Sequence, residues 1–249
     1  MPLFKRKTTS GVVLEQEIFD IAPQTKRLKA AEAKPPPEMT QEERQEYNDA
    51  QALRRFIRNV NTNFNPQSFY VTLTFSDDFL PDTFAEARQA LNNYIRRLQY
   101  AAPALRAVAV MGRGDRNGRI HLHLIVSGVD EATITDRWRM GDVRRVEPLR
   151  EHNIYNGKDH GADYTGLATY LFKHWTPEQG AGKRWRQTKN LDPPAKQKPQ
   201  RIHRRYSEKK PPRAPKGYFL AEAKTTKYGY QYYKYVLFPP KAKPPPGGV

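Results

Sequence analysis

Apolar and polar residues alternate most cleanly along Gly118–Val126, which reads Gly-Arg-Ile-His-Leu-His-Leu-Ile-Val. A period of two predicts a β-strand with successive side chains on opposite faces. Ile120, Leu122, Leu124 and Val126 then line one face, and His121 and His123 stand together on the other. A second strand is predicted over Phe69–Phe75. There Phe69, Val71, Leu73 and Phe75 alternate with Tyr70, Thr72 and Thr74, so one face is apolar and the other hydroxylated. Helical spacing appears from about Thr40 to Val60, with Leu53, Phe56, Ile57 and Val60 in phase and Thr40/Glu43 as a capping box. It appears again from Thr83 to Tyr100, where Thr83/Glu86 forms the box and Phe84, Ala87, Leu91, Tyr94, Ile95 and Leu98 form the stripe. A strand over Arg106–Met111 enters the turn Gly112–Gly118, which delivers the chain antiparallel into the histidine strand. Beyond it the pattern predicts a short helix over 131–139, a strand over Val143–Pro148 and a polar loop over 151–163. A helix over Thr165–Trp175 follows, capped by Asp163 or Thr165.

This order of elements predicts an α+β fold: an antiparallel sheet with helices packed on one face, followed by a basic Pro-rich tail and a terminal β-hairpin. The prolines of Ala33–Glu38 mark residues 1–40 as a flexible N-terminal arm. Residues 41–176 form the folded domain. Residues 177–216 are a basic Pro-rich linker, and 217–249 are the tyrosine-rich C-terminal hairpin and tail.

The chain is strongly basic. The 249 residues hold 43 Lys and Arg against 26 Asp and Glu, a net charge of +17. Such an excess favours a polyanion, nucleic acid above all. Residues 183–216 alone carry thirteen Lys/Arg against Asp192 and Glu208. No apolar run approaches the ~18 residues of a membrane span, so no membrane partner is expected. The sequence has no cysteine, which excludes thiolate metal sites and fits a reducing cytoplasm.

Two imidazoles two residues apart on one strand face can reach one divalent cation; by themselves they suit Zn²⁺ or Ni²⁺ as well as a harder ion. Downstream, Tyr170-Leu-Phe-Lys173 places a phenol and an amine on one helical face at i, i+3. A tyrosine near a metal site on a basic protein points to phosphoryl transfer through a covalent tyrosyl intermediate. Lys173 would favour the phenolate and offset charge in the transition state. Tyr164 lies six residues before Tyr170, roughly 240° around a helix, so Tyr170 is the expected single nucleophile. His152, His160, His174 and His203 show no partner spacing, although His174 falls at i+4 from Tyr170.

In their order, Phe69–Phe75, then Gly118-Arg-Ile-His-Leu-His123, then Tyr170-Leu-Phe-Lys173 resemble the three motifs of the HUH endonucleases. The likeness is to Rep-type rolling-circle replication initiators of plasmids and bacteriophages, in which the tyrosine follows the histidines. It covers roughly residues 66–176. It implies a site-specific single-strand DNA endonuclease and strand transferase using Mg²⁺ or Mn²⁺ and no small-molecule cofactor. Tyr170 would attack a phosphodiester of a single-stranded or hairpin origin, keep the 5′ phosphate and free a 3′ hydroxyl, in the cytoplasm of a bacterial host with its replication proteins. Relatives of this kind often carry an acidic ligand on the strand before the glycine turn. Here that strand is Ala107–Met111, which leaves Asp115 in the turn as the candidate third ligand beside His121 and His123. Thr72, Thr74, Arg113 and Arg119 near the strand, and Lys183, Arg184, Arg186, Arg204 and Arg205 in the tail, are candidate DNA contacts. Trp185, Tyr206 and Tyr218 are candidates for stacking bases. A single-tyrosine HUH transposase and a non-catalytic DNA-binding module are the alternative readings.

Overall fold

The computed structural model describes residues 2–20, 40–114, 118–180, 184–226 and 229–239. In chain order the strands and helices are β1 (Leu3–Ser10), β2 (Val13–Asp20), α1 (Gln41–Asn63), β3 (Phe69–Thr74), α2 (Phe84–Ala101), β4 (Arg106–Arg113), β5 (Ile120–Ser127), α3 (Glu131–Asp136), β6 (Val143–Pro148), β7 (Ile154–Tyr155), β8 (Lys158–Asp159), α4 (Thr165–Phe172), β9 (Arg186–Gln187), β10 (Ala195–Lys196), β11 (Gln200–Ile202), β12 (Tyr218–Thr225) and β13 (Gln231–Leu237). The class is α+β with antiparallel sheets. The chain divides into two compact units, one of Glu38–Glu151 and Tyr164–Pro194, the other of Met1–Pro37, His152–Asp163 and Ala195–Val249.

The first unit is built on a five-stranded sheet in the order β6-β3-β5-β4-β9. Alternation sorts its residues by face. Val71 and Leu73 of β3, Ala107, Ala109 and Met111 of β4, and Ile120, Leu122, Leu124 and Val126 of β5 share one core with α2, Ile134 and Trp138. Burying the Val, Leu, Ile and Met side chains among them stabilises by roughly 1.5–3 kcal/mol each. Thr83 accepts the Glu86 N–H at the start of α2, and Thr40 with Glu43 makes a reciprocal capping box on α1. The stop of α3 at Asp136, short of the expected 139, follows from Trp138. Its indole packs edge-on against Tyr94 and Phe75 and donates to the Thr74 carbonyl at 3.1 Å.

The opposite face of this sheet is covered as well, which corrects the expectation of helices on one face. Val108, Val110 and Ile125 point to that side and are buried. α4 ends over it, and Phe172 of α4 meets Phe56 of α1 at 6.1 Å. No side chain caps α4: its N-cap is Tyr164, and neither Asp163 nor Thr165 takes that role. Asp163 is instead held by Lys234 at 2.6 Å, a buried pair.

The second unit overturns the arm expected over 1–40 for residues 3–20; residues 21–39 of that arm lie outside the described residues. Leu3–Ser10 and Val13–Asp20 pair in full register about a Gly11–Val12 turn. Together with β13, β12, β10 and β11 they make a six-stranded sheet. Every residue of β2 from Val13 to Ile18 is buried, Glu15, Gln16 and Glu17 included. Buried carboxylates need partners, and Glu15 accepts from Tyr232, and Glu17 from Tyr230 and Arg6. The segment expected to be a plain linker contributes β9 to one sheet and β10 and β11 to the other. The polar loop over 151–163 contains the hairpin β7–β8, closed by Asn156-Gly157 with φ of 49° and 72°. Positive φ at both turn residues is what a two-residue hairpin loop requires, and Asn-Gly is its commonest sequence. The C-terminal hairpin of β12 and β13 is present, with a bulge between Leu220 and Glu222.

Candidate metal centre and its tyrosine

The centre begins with register. β3 pairs β5 so that Thr72 lies opposite His123 and Thr74 opposite His121. On the other side of β5, Val110 lies opposite His123 and Gly112 opposite His121. The histidines therefore stand between a hydroxylated strand and one whose nearest side chains are small.

α4 completes the group. The turn after Phe172 continues with His174 N–H donating to the Leu171 carbonyl at 3.1 Å. This sets His174 one turn beyond Tyr170, on the same side. The rings of His123 and His174 are 4.4 Å apart, those of His121 and His123 4.6 Å, and those of His121 and His174 5.6 Å. One nitrogen from each of the three lies within 4.8 Å of the others. Small rotations close that spread to the ~2.1 Å nitrogen distance of a divalent ion. Among the described residues this is the group suited to hold a metal. Gly112 makes the approach fit, since a Cβ there would stand 2.7 Å from His174 Nδ1.

His123 is the most tightly specified of the three. Its Nδ1 lies 2.8 Å from the Tyr70 hydroxyl and 3.2 Å from Thr72 Oγ1. With the hydrogen on Nδ1 donating to these oxygens, Nε2 carries a lone pair, and Nε2 is buried with no hydrogen-bond partner. A second group holding the far nitrogen is the usual way to orient a ligating imidazole. Burial, followed by the neighbouring His174 and His121 and then Arg145, pushes the His123 pKa down to about 3. The ring is therefore neutral at physiological pH, as ligation requires. The Tyr70 ring is parallel to that of His123, and burial raises its phenol above the usual range, with a smaller contribution from Tyr170. It stays a neutral partner.

Tyr170 is 51% exposed. Its ring lies 4.8 Å from that of His174 and 6.2 Å from that of His123. Tyr164 differs in every respect. It is 1% exposed, its hydroxyl has no hydrogen-bond partner, and burial, then the charge of Glu151, raises its pKa. Of these two tyrosines, Tyr170 is the exposed one and its ring neighbours the histidines. Lys173 caps α4 and is solvent-exposed.

The other candidate residues are dispersed. Asp115 and Lys183 lie outside the described residues. Thr72 serves His123, and Thr74 donates to the Asp142 carbonyl at 3.3 Å. Arg113 pairs with Glu178 and Arg119 with Asp77. Arg184 is held by Asp49 and lies over the Trp175 ring. Trp185 packs on Phe56 at 5.1 Å, so the indole expected to stack bases is engaged in the fold on that side. Arg186 is exposed. In the second unit Arg205 pairs with Asp20, and Arg204 lies over Tyr206. Of His152, His160, His174 and His203, which the sequence left without a role, the structure brings His174 to the centre. Its i+4 spacing from Tyr170 was the available signal.

No protein-family model, curated protein or solved structure matches the chain. No helix among the described residues is long and apolar enough to cross a membrane.

Proposed function

We propose that the chain is a metal-dependent tyrosine nuclease of the HUH type, cutting and rejoining single-stranded DNA as an initiator of rolling-circle replication. The observation that carries this reading is the convergence of an exposed tyrosine, Tyr170, and of His174 one turn after it, on His121 and His123 of β5. His121, His123 and His174 would hold the ion, with His174 in the place for which Asp115 was the sequence candidate. Three imidazoles favour a first-row transition ion over Mg²⁺. Of the two ions the family resemblance implies, that selects Mn²⁺. A bound ion supplies Lewis-acid polarisation of the scissile phosphate.

The protein's own residues do the rest. Tyr170 Oη attacks phosphorus, the P–O3′ bond breaks, and the DNA keeps a 5′ phosphotyrosine link. The phenol proton is given up and the departing 3′ oxygen takes one up, so no water is consumed. Lys173, one turn along, contributes positive charge as phosphate charge builds. Reversal with a new 3′ hydroxyl rejoins the strand. The net charge of +17 supports a DNA substrate.

The test is a labelled single-stranded oligonucleotide bearing the cognate origin hairpin, incubated with the protein and Mn²⁺ and resolved on a denaturing gel. A covalent protein–DNA band that Tyr170→Phe abolishes and Tyr164→Phe preserves is the expected result. An adduct that survives Tyr170→Phe would refute the assignment of the nucleophile. A protein that binds the strand and forms no adduct would replace the enzyme with a binding module.

A further inference from the structure

Two clefts open on the first unit, and their charges differ. One is lined by His121, Arg119, Arg144, Asp77 and Asp142 among others. Its arginines are answered, Arg119 by Asp77 at 2.6 Å and Arg144 by Asp142 at 3.5 Å. The other, of about 330 Å³, includes Arg88, Asn92, Val110, Arg184, Trp185 and Arg186, and among the described residues no carboxylate lines it. That volume falls at the small end of ligand pockets, roughly 300–1,000 Å³.

Sheet geometry explains the second cleft. β9 pairs with β4 only at Val108 and Ala109. Past that point β4 has no strand neighbour on this side among the described residues, and a gap opens between it and α2. Its walls carry complementary chemistry. Trp185 offers an indole held by Phe56 and by its own Nε1–H donating to Gln187 at 2.7 Å. Asn92 lines the cleft, and its Oδ1 is buried with no hydrogen-bond partner. A buried acceptor left unsatisfied is destabilising, and a ligand N–H would satisfy it. Arg88 uses one nitrogen on the Gln179 carbonyl at 2.8 Å, which leaves further guanidinium donors. Arg186 is exposed and faces no carboxylate in the cleft. A planar group with N–H donors, joined to an anion that suits guanidinium, is a nucleotide.

We propose that this cleft binds one nucleotide, its base against Trp185 and Asn92 and its phosphate at Arg88 and Arg186. Val110 lines the cleft and is also the register partner of His123, so the pocket lies one strand from the histidines. On the nuclease reading, the occupant is a nucleotide of the substrate strand near the point of cleavage, and the pocket contributes to strand specificity.

Isothermal titration of the full chain in EDTA tests this, with the four deoxynucleoside monophosphates, the matching nucleosides and an oligo-dT strand as probes. A monophosphate is expected to bind at least about tenfold more tightly than its nucleoside, as a guanidinium–phosphate contact requires. Arg186→Glu is expected to remove that preference with an unchanged melting temperature. Asn92→Leu, with Arg186 intact, is expected to weaken the preferred base and leave the phosphate preference. Binding of the strand alone, still lost in Arg186→Glu, assigns the pocket to a strand nucleotide rather than a free one. Equal binding of nucleotide and nucleoside, or wild-type affinity for every probe in both Arg186→Glu and Arg88→Glu, overturns the proposal. The titrations use no metal and are repeated in Tyr170→Phe protein, so they stand or fall separately from the cleavage assay.

Discussion

The two faces of β5 carry different kinds of information. On one face, Ile120, Leu122, Leu124 and Val126 meet apolar neighbours from β3, β4 and α2. Any side chain of similar size and character would fill that space, so the face is defined by a period and a volume. On the other, His121 and His123 meet Thr72, Tyr70, Gly112 and His174, each of a type that its neighbour needs. The first face supplies stability and the second gives up some of it. His123 Nε2 is buried without a hydrogen bond, an arrangement that costs free energy until something binds there. Core and site thus share one strand and differ in what a substitution removes.

The sharpest break between the faces is a large-to-small change on the apolar side. Leu122→Ala is expected to cost about 2–5 kcal/mol of stability, as fully buried leucines do. Urea denaturation measures it, and the folded fraction should still bind cation. A loss of cation binding in parallel with an undisturbed fold would mean the faces are not separable.

On the histidine side, Gly112→Ala adds one carbon 2.7 Å from His174 Nδ1. The far atom belongs to a movable side chain, so the cost to folding is expected to be small. Cation affinity should fall by roughly 10–100-fold, the usual effect of disturbing a ligand's support. Calorimetric titration with Mn²⁺ on both proteins reads it. Equal affinities would show that His174 is not held where Gly112 leaves room for it.

Reading the sequence recovered the first face almost completely. Its alternation is local, and the capping box at Thr40/Glu43 is formed; at Thr83/Glu86 only half of the box is made, because Glu86 accepts from Asp82 N–H rather than from Thr83 N–H. The β1–β2 hairpin was not legible because β2 is buried on both faces, so Glu15, Gln16 and Glu17 break any apolar period. Their burial depends on Tyr230 and Tyr232, more than two hundred residues along the chain. His174 was visible as a spacing from Tyr170 and had no meaning until α4 was set against β5. Tyr164 and Tyr170 are separated in sequence by helical phase and by Tyr164's place at the helix start, and in the structure by burial.

A titration sharpens the contrast further. The folded-state pKa of His123 is lowered from 6.5 to about 3. The unfolded chain therefore binds more protons between these values. The resulting stability is fully present above about pH 6.5 and is lost as pH falls toward 3, by up to about 1.4 kcal/mol per pH unit. Metal-free thermal unfolding from pH 7 to pH 4 should show this slope, and His123→Gln should flatten it. An unchanged slope in that variant would assign the acid sensitivity elsewhere.

The smallest effect is expected at Tyr164. Its hydroxyl is buried and unpartnered, so Tyr164→Phe removes a desolvated group and should change stability by no more than about 1 kcal/mol, with a gain as the expected sign. Thermal unfolding measures it. A large destabilisation would mean that the hydroxyl has a partner in solution.

The proposed chemistry depends on His121, His123 and His174 holding one cation. Mn²⁺ titration of the full chain, followed by electron paramagnetic resonance of the free ion, tests it directly. Wild-type protein is expected to bind one ion per chain, and His174→Ala to bind it at least about tenfold more weakly. Absence of binding in the wild type, or identical affinity in His174→Ala, would contradict the account.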